Sequence, residues 1–129
     1  MSYYFSKILV DSSFDEAISK VTDELKKEGF GILTEIDVKE TFKNKLNVDF
    51  KKYTILGACR PQSAYNALEV EDKVGAFFPC NVIVEEHENG GVEVSAIDPM
   101  ALMIAVKNEA ITCISSEMRK KLRRVIESL

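Results

Sequence analysis

The sequence predicts an α+β fold, a two-layer sandwich with helices packed on one face of a largely antiparallel sheet. Strand-like and helical segments follow the order β-α-β-α-β-α-β-β-α, and no linker or repeat interrupts it. Asn89-Gly90-Gly91 separates two strand-like segments, and this turn is typical of an antiparallel hairpin because Asn and Gly tolerate φ > 0. Residues 75–84 lie in the longest uncharged run of the chain, which indicates a central strand.

The predicted central strand extends from residue 75 to residue 87. Alternation along it places Phe78, Cys80, Val82 and Val84 on one face, which we expect to meet the helices. Pro79 cannot donate a hydrogen bond to a sheet and therefore marks a bulge, an edge or a local break. Phe77, Asn81 and Ile83 fall on the opposite face.

The remaining strands are recognised by β-branched and aromatic residues between turn signals. They are predicted over residues 3–10, 30–36, 53–59 and 92–97. Helices are predicted where apolar residues recur at helical spacing behind a capping residue. The predicted helices cover residues 14–28, 38–45, 61–71, 100–106 and 109–129, with Ser13, Asp37, Asp98 and Asn108 as N-caps.

Length and composition bound the class of protein. The 129 residues fit a single domain over 1–129, and the 46% hydrophobic and 29% charged residues are those of an ordinary globular protein. A net charge of −4 argues against nucleic acid or an anionic membrane as a partner. Three cysteines and no recognisable signal peptide indicate reduced thiols in the cytoplasm. A single histidine argues against a histidine-based metal centre within one subunit, so we expect no metal site.

Several segments together resemble the domain-of-unknown-function 302 family. They are Gly-Phe-Gly-Ile-Leu-Thr-Glu-Ile-Asp-Val (29–38), Tyr-Thr-Ile-Leu-Gly-Ala-Cys-Arg-Pro (53–61), Ala-Leu-Glu (67–69), Gly-Ala-Phe-Phe-Pro-Cys-Asn-Val (75–82) and Asp-Pro (98–99). The resemblance covers nearly the whole chain in the right order. It implies a two-layer α/β fold with a topology like that of the TATA-binding protein, and a homodimer. It implies no activity, cofactor or DNA binding, because fold likeness alone does not carry function.

Cys59 and Cys80 are the main candidate site residues, since each ends or interrupts a strand beside a proline. With Arg60 and Asn81 they predict a ligand pocket at the end of the third strand. The helix that begins at Pro61 is expected to lower the pKa of the Cys59 thiol. The alternative interpretation is that both cysteines are small core residues. Asn81 would then repair the hydrogen bonding broken by Pro79.

Three functions therefore stay open. The first is a binding protein that holds a small ligand or a protein partner near Cys59 and Cys80. The second is a thiol-dependent redox enzyme or sensor in which Cys59 reacts and Cys80 supports it or resolves the product. The third is a structural or interaction module in which every motif serves packing and turns.

Several charged residues have both a functional and a structural interpretation. Glu35, in an otherwise apolar strand, is a candidate ligand-binding carboxylate or an exposed residue of the sheet or a dimer contact. Asp37 and Asp98 are either acid–base or cation-binding groups or, as we favour, helix N-caps. His87 beside the hairpin turn, and the basic run over residues 119–124, are expected to be solvated.

Overall fold

Five strands form one antiparallel sheet in the computed structural model, which describes residues 2–129. The strands are β1 (Tyr4–Leu9), β2 (Gly31–Asp37), β3 (Tyr53–Cys59), β4 (Cys80–Glu86) and β5 (Val92–Ile97). Their order across the sheet is β1-β5-β4-β3-β2, and every neighbouring pair is antiparallel. The predicted antiparallel sheet and the central position of β4 are thereby confirmed.

Four helices connect and cover the strands: α1 (Phe14–Lys27), α2 (Val38–Leu46), α3 (Pro61–Val70) and α4 (Glu109–Glu127). The caps are those that the sequence predicts. Ser13 and Glu16 form a reciprocal capping box at the start of α1, and Gly29 follows that helix at φ +87°. No helix in residues 2–129 has the length and apolar character needed to cross a membrane.

The main core lies between one face of the sheet and the helices α1 and α4. Leu56, Val82 and Ala96 stand directly opposite one another on β3, β4 and β5, and each is at most 1% exposed. Ala17, Val21 and Leu25 of α1 are fully buried against the same layer. Alternation along each strand therefore delivers one continuous apolar layer to the helices.

Polar contacts hold α4 to its neighbours at its C-terminal end. The Arg124 guanidinium donates to both carboxylate oxygens of Glu28 at 2.8 and 3.2 Å, and these hydrogen bonds lower the pKa of Glu28. Lys7 of β1 donates to the carbonyl oxygens of Glu127 and Leu129 at 3.2 and 2.5 Å. A cation at a helix C-terminus is favourably placed because the unpaired carbonyl groups carry partial negative charge.

Two predicted elements differ from those in the structure. The strand predicted over residues 75–87 begins only at Cys80, and residues 75–77 belong to a 3₁₀ helix, Asp72–Phe77. Pro79 has no N–H to give to a neighbouring strand, so pairing starts beyond it. The helix predicted over residues 100–106 is also a 3₁₀ helix, Pro99–Ile104, and Ile104 is 83% exposed.

We expect Gly57→Ala to destabilise the fold, whereas Gly31→Ala serves as the matched control. A Cβ at Gly57 would collide with Oγ1 of Thr34 and lie 2.8 Å from Cγ of Pro79. Overpacking of this kind costs about 1–3 kcal/mol of unfolding free energy. A Cβ at Gly31 meets no atom within 4 Å, so its effect should stay within about 0.5 kcal/mol. Urea unfolding measures the stability of both variants. Equal stabilities would contradict the close contact of Gly57 with Thr34 and Pro79.

Candidate functional site

The sheet face turned away from α1 and α4 carries an unusual number of apolar side chains. Antiparallel sheets that face water on one side normally present polar residues there. Here Tyr4, Ile8 and Ile36 point outward and are 42%, 56% and 46% exposed, while Ile55 and Ile83 are half-buried. This composition marks the outward face as a surface suited to binding.

A groove of about 420 Å³ lies on this outward face, and we call it the sheet groove. Its lining residues come from β1, β3, β4, β5 and the residue before β1: Tyr3, Tyr4, Tyr53, Asn81, Ile83, Glu85, Glu93, Ser95 and Ile97. The volume falls within the range of roughly 300–1,000 Å³ found for small-molecule pockets. Because most of these residues stand on paired strands, the walls of the groove are set by the register of the sheet.

The register arranges the groove from an aromatic end to an acidic end. Ile83 of β4 stands opposite Ser95 of β5, and together they lie in the middle of the groove. The rings of Tyr3 and Tyr4 meet edge to face with centroids 5.0 Å apart. At the other end Glu85 stands opposite Glu93 across the β4–β5 pair. Tyr3 and Tyr4 thus lie at one end of the groove, and at the other end Tyr53 stands beside the two carboxylates.

Basic side chains pair with the two carboxylates. Lys51 Nζ lies 2.6 Å from Glu85 Oε1, and this hydrogen bond raises the pKa of Lys51. His87 Nε2 lies 2.8 Å from Glu93 Oε1. Burial, followed by the negative charge of Glu85, raises the pKa of Tyr53. The expectation that His87 is solvated is wrong, since its side chain is 34% exposed and engaged with Glu93.

The two candidate thiols lie near each other, Cys59 at the end of β3 and Cys80 at the start of β4. Cys59 and Cys80 line one cavity with Arg60, Pro79 and Met118, but that cavity measures only about 20 Å³. A space of this size holds a single water molecule. The structure therefore brings the two cysteines to one cavity without leaving room between them for an organic ligand.

Burial governs the chemistry of these thiols. It raises the pKa of Cys80 to about 12, with a smaller contribution from the charge of Cys59. It raises the pKa of Cys59 as well. The expectation that the N-terminus of α3 lowers the Cys59 pKa is therefore wrong, because burial disfavours the charged thiolate and raises the pKa.

Of the other predicted ligand-binding residues, Arg60 adjoins the thiol pair, whereas Asn81 and Glu35 lie apart from it. Arg60 donates from Nη1 to Oγ of the buried Ser63 at 2.7 Å, so its guanidinium serves the first turn of α3. Asn81 points to the opposite face and lines the sheet groove. Glu35 is exposed on the edge strand β2, opposite Leu56. As a ligand-binding set these residues stay a prediction, and the structure divides them among three places.

The remaining charged candidates have structural roles. Asp37 accepts from the backbone N–H of Glu40 at 3.0 Å, and Asp98 accepts from that of Met100 at 3.0 Å. Both predicted N-caps are confirmed. Asp98 is also buried and lies 3.2 Å from Nε of Arg119.

The basic run over residues 119–124 is only partly solvated, whereas the sequence predicts that all of it faces water. The guanidinium carbons of Arg119 and Arg123 lie 5.9 and 5.0 Å from the centre of the Phe5 ring, at distances typical of cation–π contacts. The side chain of Lys121 is only 18% exposed. Part of the run therefore packs along the edge of the core rather than facing water.

Sequence reasoning missed the residues at the acidic end of the groove. The signal was available in the hairpin: a turn at Asn89-Gly90-Gly91 pairs the strands so that Glu85 faces Glu93. The spacing of two residues between Glu85 and His87 then places both on one face. The contribution of Tyr3 and Tyr53 depends on which sheet face stays uncovered, and no local pattern reveals that.

The fold and the groove define a class of protein: an α+β sandwich with helices α1 and α4 on one side of a five-stranded sheet and a groove on the other. The family model of the domain of unknown function DUF302 matches residues 6–129, and the chain belongs to that family. A crystal structure of an uncharacterized conserved DUF302 protein from Bacillus stearothermophilus is similar, with a TM-score of 0.89 and 29% sequence identity over 98% of each chain. A comparison with curated proteins found no match.

The burial of the thiols predicts the order of cysteine alkylation. The exposed Cys113 should react first with iodoacetamide, Cys59 more slowly and Cys80 last. With a pKa of about 12, Cys80 has a thiolate fraction on the order of 1 in 10,000 at pH 8. Its rate should therefore still be rising tenfold per pH unit near pH 10. Mass spectrometry of the native protein measures each site, and rapid reaction of Cys80 at neutral pH would contradict this assignment.

Proposed function

We propose that this protein is a binding protein that holds a small, uncharged and largely apolar organic molecule in the sheet groove. The observation that supports the proposal is the groove itself, a cavity of about 420 Å³ on a sheet face that α1 and α4 leave uncovered. Ligand sites are usually concave, mostly apolar and provided with a few placed polar groups. The sheet groove has this composition.

The lining residues favour an uncharged ligand with one polar group. Three tyrosine rings, Ile83 and Ile97 supply apolar walls, and Asn81 and Ser95 offer an amide and a hydroxyl near the centre. The charged groups at the acidic end are already paired, with Lys51 on Glu85 and His87 on Glu93. An apolar molecule would gain most from covering Ile83 and the tyrosines, and Asn81 would orient it.

The pocket near Cys59 and Cys80 supports a binding function less well. Its cavity of about 20 Å³ admits one water molecule, and the raised thiol pKa values disfavour a nucleophilic or redox role at neutral pH. Of the residues predicted to line that pocket, Asn81 is the one that lines the sheet groove. We therefore propose ligand binding at the groove in preference to thiol chemistry.

The proposal is tested with N-phenyl-1-naphthylamine, an uncharged apolar fluorescent probe. We expect saturable 1:1 binding with enhanced probe emission. The chain has no tryptophan, and three of its four tyrosines line the groove, so tyrosine emission should be quenched in parallel. Ile83→Lys places a charge in the centre of the groove and should weaken binding at least tenfold. Val70→Lys is the control, since Val70 is 45% exposed and lies outside the groove.

Circular dichroism confirms that both variants are folded before their affinities are compared. Equal affinity in the Ile83→Lys variant and the wild type would place the probe elsewhere and count against the groove. A lack of saturable binding in the wild type would count against an apolar ligand of this size.

We also propose that two copies associate, as the family resemblance implies, through the apolar 3₁₀ helix Pro99–Ile104 and the residues that follow it. Ile104 is 83% exposed, the highest value among the exposed large apolar residues of the described chain. Burial of such a side chain in a symmetric contact would contribute about 1.5–3 kcal/mol.

Analytical ultracentrifugation tests this association. We expect the wild type to sediment as a dimer and Ile104→Glu to shift it to the monomer, because a carboxylate would be buried without a partner. Leu46→Glu is the matched control, since Leu46 is 65% exposed at the end of α2. A monomeric wild type at every concentration would refute the dimer, and an undisturbed dimer in the Ile104→Glu variant would move the interface elsewhere.

The cytoplasmic location also stays a proposal. Cys59, Cys80 and Cys113 are all free, as is usual for proteins of a reducing compartment. Fractionation of cells that produce the tagged full chain would test the assignment directly.

A further inference from the structure

We propose that Glu85, His87 and Glu93 bind a divalent first-row metal ion, with Zn²⁺ as the best fit, at the acidic end of the sheet groove. One ligand atom from each of the three side chains lies within 4.8 Å of the other two. We call this set the Glu-His-Glu cluster. The proposal goes beyond apolar ligand binding, since the cluster would hold a metal ion with or without a molecule in the groove.

The β4–β5 hairpin builds the cluster. Glu85 and Glu93 are register partners on adjacent strands, so their side chains leave the sheet side by side. The backbone N–H of His87 donates to the carbonyl of Gly91 at 2.8 Å, and the N–H of Gly90 donates to the carbonyl of His87 at 2.9 Å. These bonds close the turn and hold the imidazole beside the two carboxylates. Ligands carried by paired strands are more rigidly placed than ligands on free loops.

The electrostatics of the cluster favour a cation. Like charges directly opposite each other on neighbouring strands destabilise a sheet. The side chains of Glu85 and Glu93 are only 14% and 21% exposed, so water screens their repulsion incompletely. At present Lys51 offsets one carboxylate and His87 hydrogen-bonds to the other. A single divalent ion between them would neutralise both carboxylates at once.

The donor atoms select the class of metal. One imidazole nitrogen and two carboxylate oxygens suit Zn²⁺, whereas Ca²⁺ and Mg²⁺ prefer oxygen ligands throughout. Tetrahedral zinc with bonds of about 2.0–2.2 Å requires ligand atoms roughly 3.3–3.5 Å apart. His87 Nε2 and Glu93 Oε1 are 2.8 Å apart, so this hydrogen-bonded pair must open by roughly 0.5 Å, while Glu85 closes the rest of the cluster, whose ligand atoms lie within 4.8 Å of one another. A glutamate has the side-chain freedom to move by about 1 Å once Lys51 releases it.

The cluster has access from two sides. Glu85 and Glu93 line the sheet groove, and His87 lines a second depression of about 830 Å³ together with Phe50 and Gly90. Three protein ligands would leave the fourth position of a tetrahedral ion to water or to a molecule in the groove. The entry path that a metal site needs is therefore present.

The competing explanation is a closed ion-pair network that needs no metal. The two explanations differ in the role of Lys51. In a metal site the Lys51 ammonium competes with the ion for Glu85, so Lys51→Gln should tighten metal binding. The side chain of Lys51 is 40% exposed, so its ammonium can return to water when an ion takes its place at Glu85.

The experiment titrates chelator-treated full-length protein with Co²⁺, followed by competition with Zn²⁺. It uses the Cys113→Ser background, because the exposed Cys113 thiol is a potential metal ligand in its own right. We expect one Co²⁺ per chain, with visible absorption bands and no sulfur-to-metal charge-transfer band, and displacement by one equivalent of Zn²⁺. His87→Gln and Glu93→Gln should each weaken Co²⁺ binding at least tenfold.

Two lysine variants complete the test. Lys51→Gln should strengthen Co²⁺ binding several-fold, while the control Lys52→Gln should leave it unchanged, because the Lys52 ammonium lies over the Phe14 ring, whereas the partner of Glu85 is Lys51. The proposal is overturned if the Cys113→Ser protein binds no Co²⁺, if His87→Gln binds it as tightly, or if Lys51→Gln weakens it. N-phenyl-1-naphthylamine binding by the His87→Gln variant separates this result from the proposed function, since the apolar part of the groove stays intact.

Discussion

The packing of α1 and α4 on the same face of the sheet is the constraint on which the rest of the structure depends. Their apolar sides meet the continuous layer formed by Leu56, Val82 and Ala96, and this contact supplies the main core. A sheet has only two faces, and alternation sends every second side chain to the other one. Because both long helices lie together, those second side chains stay uncovered. The groove, its tyrosines and the Glu-His-Glu cluster all lie there as a consequence.

An uncovered sheet face is usually polar. The apolar side chains on this face depart from that pattern and therefore need an explanation. Exposure of apolar side chains such as Ile36 and Ile8 to water is unfavourable. It would lower the solubility of the chain without benefit if this surface had no function. Packing against α1 and α4 therefore does not explain these outward side chains.

The sequence predicts the fold more fully than the site, for a physical reason. The bounds of β3 and β5 match the prediction because turn residues and β-branched runs are local signals. The start of β4 differs because Pro79 stops pairing in a segment whose composition alone favours a strand. The expected lowering of the Cys59 pKa was wrong because burial is a property of the whole fold, whereas the helix end is visible locally. The groove joins residues from four strands, so it appears only once strand order and the covered face are known.

The central strand shows how one segment can serve both layers without conflict. Cys80, Val82 and Val84 point to the helices and are buried, while Asn81, Ile83 and Glu85 point to the groove. The chemically attractive cysteine is therefore on the packing side, where burial raises the pKa of its thiol to about 12. The less conspicuous alternate residues are on the side that a ligand or a metal ion can reach. Function on this strand should accordingly follow the odd-numbered positions, because only they combine access, polar groups and a rigid backbone.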